Sequence, residues 1–209
     1  MSSEEYIKNQ IKNIRNELKD DPKNHSLLND LGVGYYLVGE YKKATTYLKS
    51  AIEIQDDNAS YLFNLANAYS ELEEFALAKK FYLDALELDP DHIPSLTNLA
   101  DCYEASNEIE KAEELFTYVT NLAPENALAF FNLGNFQLRQ NDHIKAVKNY
   151  EKAIKLEDSF VDAYYNIAWV LTEIKAFDEA LSYAKKGLEI DPNHKDLQEI
   201  LRKIRNNIR

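Results

Sequence analysis

Cysteine is nearly absent from this chain. Cys102 is the only one, so no intrachain disulfide framework and no cysteine-built metal site can form. Glycine and proline are scarce as well, five of each in 209 residues, which leaves little material for linkers or long loops and favours helix. No stretch approaches about 18 uninterrupted apolar residues, so nothing reads as a membrane span. Residues Met1 to Tyr6 are polar and acidic and lack the basic start and apolar run of a secretory signal; a cytoplasmic protein is expected. Cations are the minority, 24 Lys and Arg against 36 Asp and Glu, for a formal charge of −12. A nucleic-acid binder needs a basic face to neutralise phosphates, and an anionic membrane surface makes the same demand. Neither nucleic acid nor membrane is therefore an expected partner.

Recognisable catalytic chemistry is also missing. The histidines are His25, His92, His143 and His194, and none has a His or Cys partner at ligand spacing. No phosphate-cradling glycine loop is present, because Gly32 and Gly34 lie inside a helical pattern with no strand before them. The carboxylates are spread along the chain rather than paired. No metal, no cofactor and no enzymatic activity are expected, and Cys102 reads as a small buried hydrophobe.

What is present is a period. Leu62, Asn64, Leu65, Ala66 and Tyr69 return 34 residues later as Leu96, Asn98, Leu99, Ala100 and Tyr103. They return again, with substitutions, as Phe130, Asn132, Leu133, Gly134 and Gln137, and then as Tyr164, Asn166, Ile167, Ala168 and Leu171. One step back stand Leu28, Asp30, Leu31, Gly32 and Tyr35. Five blocks follow, 25–58, 59–92, 93–126, 127–160 and 161–194, each with two helical patterns around a short polar break. In the second block Leu62, Leu65, Ala66 and Tyr69 form one apolar stripe; Phe75, Ala78, Phe81, Tyr82, Ala85 and Leu88 form the next. Small residues recur where two helices must approach closely: Gly32, Ala66, Ala100, Gly134 and Ala168 at one position, Ala44, Ala78, Ala112, Ala146 and Ala180 at another. Residues 1–24 carry Ile7, Ile11, Ile14 and Leu18 on one helical face and read as an N-terminal capping helix. Residues 195–209 carry Leu197, Ile200, Leu201, Ile204 and Ile208 on one face and read as a basic C-terminal capping helix.

These residues resemble the tetratricopeptide repeat (TPR), whose 34-residue pattern sets a large residue, a leucine and a glycine in its first helix, an alanine followed four residues on by an aromatic in its second, and a closing proline. Ala78 with Tyr82, Ala112 with Phe116 and Ala146 with Tyr150 fit the second-helix signature, and Pro90, Pro124 and Pro192 the closing one; Asp56 and Asp158 replace the proline in two blocks. The resemblance implies an all-α fold, a right-handed superhelical solenoid of antiparallel helix pairs forming a single domain with its two caps. It further implies that the first helix of each block lines a concave groove.

Carried onto this chain, the groove positions that the resemblance implies include Asn29, Phe63, Phe131 and Tyr165 at the fifth place of the block. The sixth place holds Asn64, Asn98, Asn132 and Asn166; the ninth holds Asn67, Asp101, Asn135 and Trp169. Arg139 is the one cation among them. The in-register asparagines offer donors and an acceptor to the backbone of an extended peptide, or else bond within or between their own helices. The aromatics are anchors of the kind enriched at hot spots, or else packing between adjacent first helices. The cationic clamp that one TPR subclass uses on chaperone C-terminal carboxylates is missing: Ser26, Asn29, Phe63, Pro94, Thr97 and Asn98 stand where its Lys and Arg would. The expected function is a non-catalytic adaptor that holds a protein or peptide segment, neutral or basic rather than acidic. A self-assembling structural protein, its basic last helix meeting the acidic repeats of another copy in a homo-oligomer, is the second reading. A small-molecule sensor is the third.

Overall fold

The computed structural model describes residues 3–207. Among them are twelve helices and no strand. In chain order they are α1 (Ser3–Asp20), α2 (His25–Leu37), α3 (Tyr41–Ile54), α4 (Ala59–Glu71), α5 (Phe75–Leu88), α6 (Ile93–Ala105), α7 (Ile109–Leu122), α8 (Ala127–Arg139), α9 (His143–Leu156), α10 (Val161–Glu173), α11 (Phe177–Ile190) and α12 (Lys195–Asn207). Each 34-residue block thus supplies a first helix A and a second helix B. The C-terminal assignments for Ile208 and Arg209 lie outside the described residues.

The start and stop of each helix follow from side chains that recur at the block boundaries. The last residue of a block sits just ahead of the next helix A and accepts from its free N–H groups. Asn24 accepts from the Leu27 N–H (3.1 Å), Asn58 from Ser60 (3.0 Å), His92 from Ser95 (3.3 Å), Asn126 from Ala129 (3.3 Å) and His194 from Leu197 (3.3 Å). Phe160, at the same place, makes no such bond. The two loop histidines are therefore helix caps.

The turn from A to B is a Schellman motif in every block. In the first, the Glu40 N–H bonds the Tyr35 carbonyl and the Gly39 N–H bonds that of Tyr36, both at 2.9 Å; equivalent pairs of bonds close the other four turns. The motif places one residue in the left-handed region: Gly39 (φ 78°), Glu73 (58°), Asn107 (61°), Asn141 (62°) and Lys175 (64°). That conformation costs a side-chain-bearing residue roughly 1–2 kcal/mol, partly offset by the greater freedom glycine loses on folding. Replacing the exposed Lys175 by Gly is expected to stabilise the protein by about 0.5–1 kcal/mol, read as a higher urea midpoint. A lower midpoint would show that the lysine side chain contributes more than its backbone costs.

The chain divides into two compact units, Met1–Leu115 and Phe116–Arg209, with the dividing point inside α7. In the first, α2 packs on α3, α4 on α5, and α3 and α5 on the helix A that follows each, with α1 laid against α2. Its core is built from Leu31, Ala44, Leu48, Leu65, Ala66, Ala78, Tyr82 and Leu99, sealed at the N-terminal side by Ile11 with Ile7, Ile14 and Leu18 around it. In the second, α8 packs on α9, α10 on α11, and α12 on both α10 and α11. Its core holds Phe130, Ala146, Tyr150, Ile167, Ala168, Ala180 and Ala184, sealed by Leu197, Ile200 and Ile204 of α12. Cys102 is buried, as its composition suggested, and burial pushes its thiol up.

One stripe assignment is corrected. Leu88, placed by periodicity on the buried face of α5, is 47% exposed, while Leu86 packs against the core. Leu88 is the last residue of its helix. Ile54, Leu156 and Ile190, at the equivalent place, are exposed too.

Candidate functional site

Three of the sixth-position asparagines, Asn64, Asn98 and Asn166, are already engaged with their neighbours. In the first unit, the Asn64 side-chain amide donates to Asn29 Oδ1 at 3.0 Å, and that of Asn98 donates to Asn67 Oδ1 at 2.9 Å. In the second, Asn166 donates to Asn135 Oδ1 at 3.0 Å. Asn67 and Asn135 each accept a second bond, from a buried tyrosine on the helix B of their own block: Tyr82 Oη at 2.6 Å and Tyr150 Oη at 2.8 Å. Burial holds both phenols far above their ordinary range, so they remain donors at any working pH. The result is a short relay in each unit, tyrosine hydroxyl to ninth-position oxygen to sixth-position amide.

This relay orients the amides without exhausting them. A primary amide carries two N–H groups and a carbonyl oxygen; Asn64 gives one N–H to the fifth-position Asn29, and Asn98 and Asn166 each give one to a ninth-position asparagine and also bond the tyrosine hydroxyl beside it. Asn64, Asn98, Asn132 and Asn166 are all half-buried. The signal for the relay is present in the sequence as a pairing. Asn at the ninth place occurs with Tyr fifteen residues on in the second and fourth blocks (Asn67 and Tyr82, Asn135 and Tyr150). The other blocks have neither: Val33 and Leu48, Asp101 and Phe116, Trp169 and Ala184.

The fifth-position aromatics are half-buried and braced from one side. Phe63 meets Tyr82 (centroids 6.0 Å apart) and the edge of His92 (5.0 Å). Phe131 meets Tyr150 (5.6 Å) and Phe160 (4.6 Å). Tyr165 meets His194 at 5.7 Å. Each therefore has one face given to packing. Asn29 is buried and bonds Asp30 (3.3 Å); Asp101 and Arg139 are exposed. Trp169 is the most open of the large groove side chains, 36% exposed.

Two concavities open among these residues, one in each unit. The first, about 200 Å³, is lined by Tyr36, Asn67, Ser70, Glu71, Tyr82, Asn98 and Asp101. Its lining includes two carboxylates and no cation, and the Tyr36 hydroxyl donates to Glu71 at 3.4 Å. The second, about 180 Å³, lies between α10 and α12 and is walled by Tyr165, Trp169, Thr172, Asp196, Glu199 and Lys203 over Ile200. The apolar stripe of α12 predicts a seal, and its basic face a contact with another copy. The same helix also supplies one wall of this cavity, because its buried stripe rests on α10 beside the groove positions.

Profiles of the tetratricopeptide repeat match residues 25–91, 57–125, 127–160 and 161–194. This chain belongs to the tetratricopeptide-repeat family. Its fold is the all-α solenoid of antiparallel helix pairs, a scaffold for protein–protein interaction. Solved TPR structures share the fold at low identity. MamA from Desulfovibrio magneticus RS-1 is 17% identical with a TM-score of 0.69, covering 82% of this chain and 97% of that one. YrrB, described as a TPR protein with an unusual peptide-binding site, is 16% identical with a TM-score of 0.62, covering 89% and 96%. Pseudomonas aeruginosa pilF is 18% identical with a TM-score of 0.69, covering 91% and 86%. The search of curated proteins returned no match. No helix among the described residues is long and apolar enough to cross a membrane, and no three His, Cys, Asp or Glu among them converge as metal ligands.

Proposed function

We propose that this TPR protein is a non-catalytic adaptor whose A-helix faces hold an extended, neutral or basic peptide segment of a partner protein. The observation that carries the reading is the half-buried amides of Asn64, Asn98 and Asn166 at one register position, each aimed by a hydrogen bond to a neighbouring asparagine. Such groups pair with a peptide backbone without reading its side chains. Fixing them beforehand lowers the entropy lost on binding. Phe63, Phe131, Tyr165 and Trp169 supply apolar contacts beside them. The carboxylates of the first-unit concavity disfavour an acidic segment by like-charge repulsion. YrrB, which shares the fold, is described as having a peptide-binding site, and that supports the same use of the scaffold here.

The test is a random-peptide selection on the purified full chain, followed by affinity measurements with a selected peptide. Asn98→Ala, for a peptide held by the first unit, and Asn166→Ala, for one held by the second, should each weaken binding about tenfold, roughly 1.4 kcal/mol. Both variants must keep the wild-type circular dichroism and melting behaviour at the assay temperature, since Asn67 and Asn135 lose a partner in them. Affinities within about twofold of wild type (roughly 0.4 kcal/mol) would remove the asparagines from the site.

A further inference from the structure

We propose that the cavity between α10 and α12 receives the guanidinium group of an arginine in the bound segment. The proposal rests on the peptide-binding reading above and names what one place on that surface selects.

Trp169 has no structural assignment. At the ninth position of the other blocks, Asn67 and Asn135 serve the tyrosine relay. The block of Trp169 has Ala184 where that tyrosine would stand, and its indole is left 36% exposed. Tyr165 precedes it by four residues, so the two rings lie on one face of α10 and both line the cavity. Across from them, Asp196 and Glu199 are three residues apart on α12 and likewise share a face. Neither is in an ion pair among the described residues. The one cation in the lining, Lys203, is engaged elsewhere, with its Nζ 2.7 Å from Glu173 Oε1. The carboxylates act on the rings: the Tyr165 phenol is held above its ordinary range first by burial and then by Asp196 and Glu199. Ile200 is buried beneath.

Aromatic faces on one side, two carboxylates on the other and an apolar floor are complementary to a flat cation. A guanidinium stacks on an indole or phenol ring and at the same time donates in its plane to carboxylates, which a compact ammonium cannot do as well. A neutral side chain would gain nothing from the two carboxylates, which are exposed and stay hydrated beside it. At about 180 Å³ the cavity has room for a side-chain head, so it selects one residue of the segment while the asparagines hold its backbone.

Trp169 is the only tryptophan, so its emission reports occupancy of this cavity alone. The full chain is titrated with the blocked tripeptide Gly-Arg-Gly, and with versions carrying lysine or norleucine in place of the arginine. A saturable emission change with the arginine peptide is expected, with a dissociation constant on the order of 1–10 mM, as befits a small ligand. It should weaken at least about fivefold in the double variant Asp196→Asn, Glu199→Gln and on raising salt from about 50 to 500 mM. Both substituted residues are exposed, so the fold is retained, which the melting curve verifies. The norleucine peptide should give no saturation and the lysine peptide weaker binding. A response that is linear with concentration, equal for arginine and for lysine or norleucine, or unchanged in the double variant overturns the proposal. Selected peptides that need Asn166 and Trp169 but contain no arginine would overturn it while leaving the peptide-binding reading intact. Loss of that reading would instead show as binding indifferent to the asparagines.

Discussion

Tyr150→Ala is expected to lower stability by about 3–5 kcal/mol, whereas Tyr150→Phe should cost only about 1 kcal/mol. The ring is fully buried. It packs against Phe131 on one side, and on another it comes so near α8 that a Cβ added at Gly134 would stand 2.7 Å from its Cε1. Truncation to alanine removes these contacts and leaves a cavity that the close-packed A and B helices cannot collapse into. It also deprives Asn135 of one of its two donors. Phenylalanine keeps the ring and loses only the bond from Oη to Asn135 Oδ1, whose oxygen still accepts from Asn166. Urea unfolding followed by Trp169 emission reads the second unit directly, since the indole belongs to it. A phenylalanine variant as unstable as the alanine one would mean that the relay outweighs the packing. An alanine variant within about 1.5 kcal/mol of wild type would mean that the site relaxes more than this packing allows.

Leu197→Asp is expected to be of similar size, a loss of at least about 4 kcal/mol, because it adds an uncompensated buried charge to the removal of a core side chain. Leu197 is fully buried, and its Cδ1 lies where a Cβ on Gly187 would come within 2.6 Å. It thus seats α12 in a slot that the missing side chain of Gly187 opens. With Ile200 and Ile204 it closes the apolar face that α10 and α11 would otherwise expose. The control is Arg202→Asp on the solvent side of α12, expected to stay within about 0.5 kcal/mol. Hydrogen exchange should show α10, α11 and α12 losing protection in the leucine variant. Protection unchanged from wild type would mean that α12 is not the seal of this unit.

The two kinds of result separate what could be read from the chain alone. The helix pairs and the alanines at closest approach follow from a period of 34 with a helical sub-period, and each such residue reports its own neighbourhood. Ala44, Ala78, Ala112, Ala146 and Ala180 are all fully buried because a strict repeat carries the same local geometry to every copy. The left-handed turn residue was less legible, since Gly39, Glu73, Asn107, Asn141 and Lys175 share a backbone state and not a side-chain type. Leu88 was misplaced because periodicity assumes a neighbour along the whole helix, and the end of a helix B has none.

The candidate site was legible in position and not in state. That Asn64, Asn98 and Asn166 share a register is a fact of spacing. That each amide is oriented by a neighbouring asparagine, and two of those in turn by buried tyrosines, depends on distances between helices from different places in the chain. Exposure is decided in the same way: Phe63, Phe131 and Tyr165 are half covered by the residues that close their blocks, and Trp169 stays open because its block has no tyrosine to claim it. The repeat, its helices, its small-residue contacts and its acidic balance are legible in the chain, since these rest on local propensity and on a period that never slips. Which polar groups are already committed, which aromatic faces remain free and that α12 forms a wall as well as a seal depend on how the helices pack. Hydrogen bonds and cavities are made between elements, and no single element encodes them.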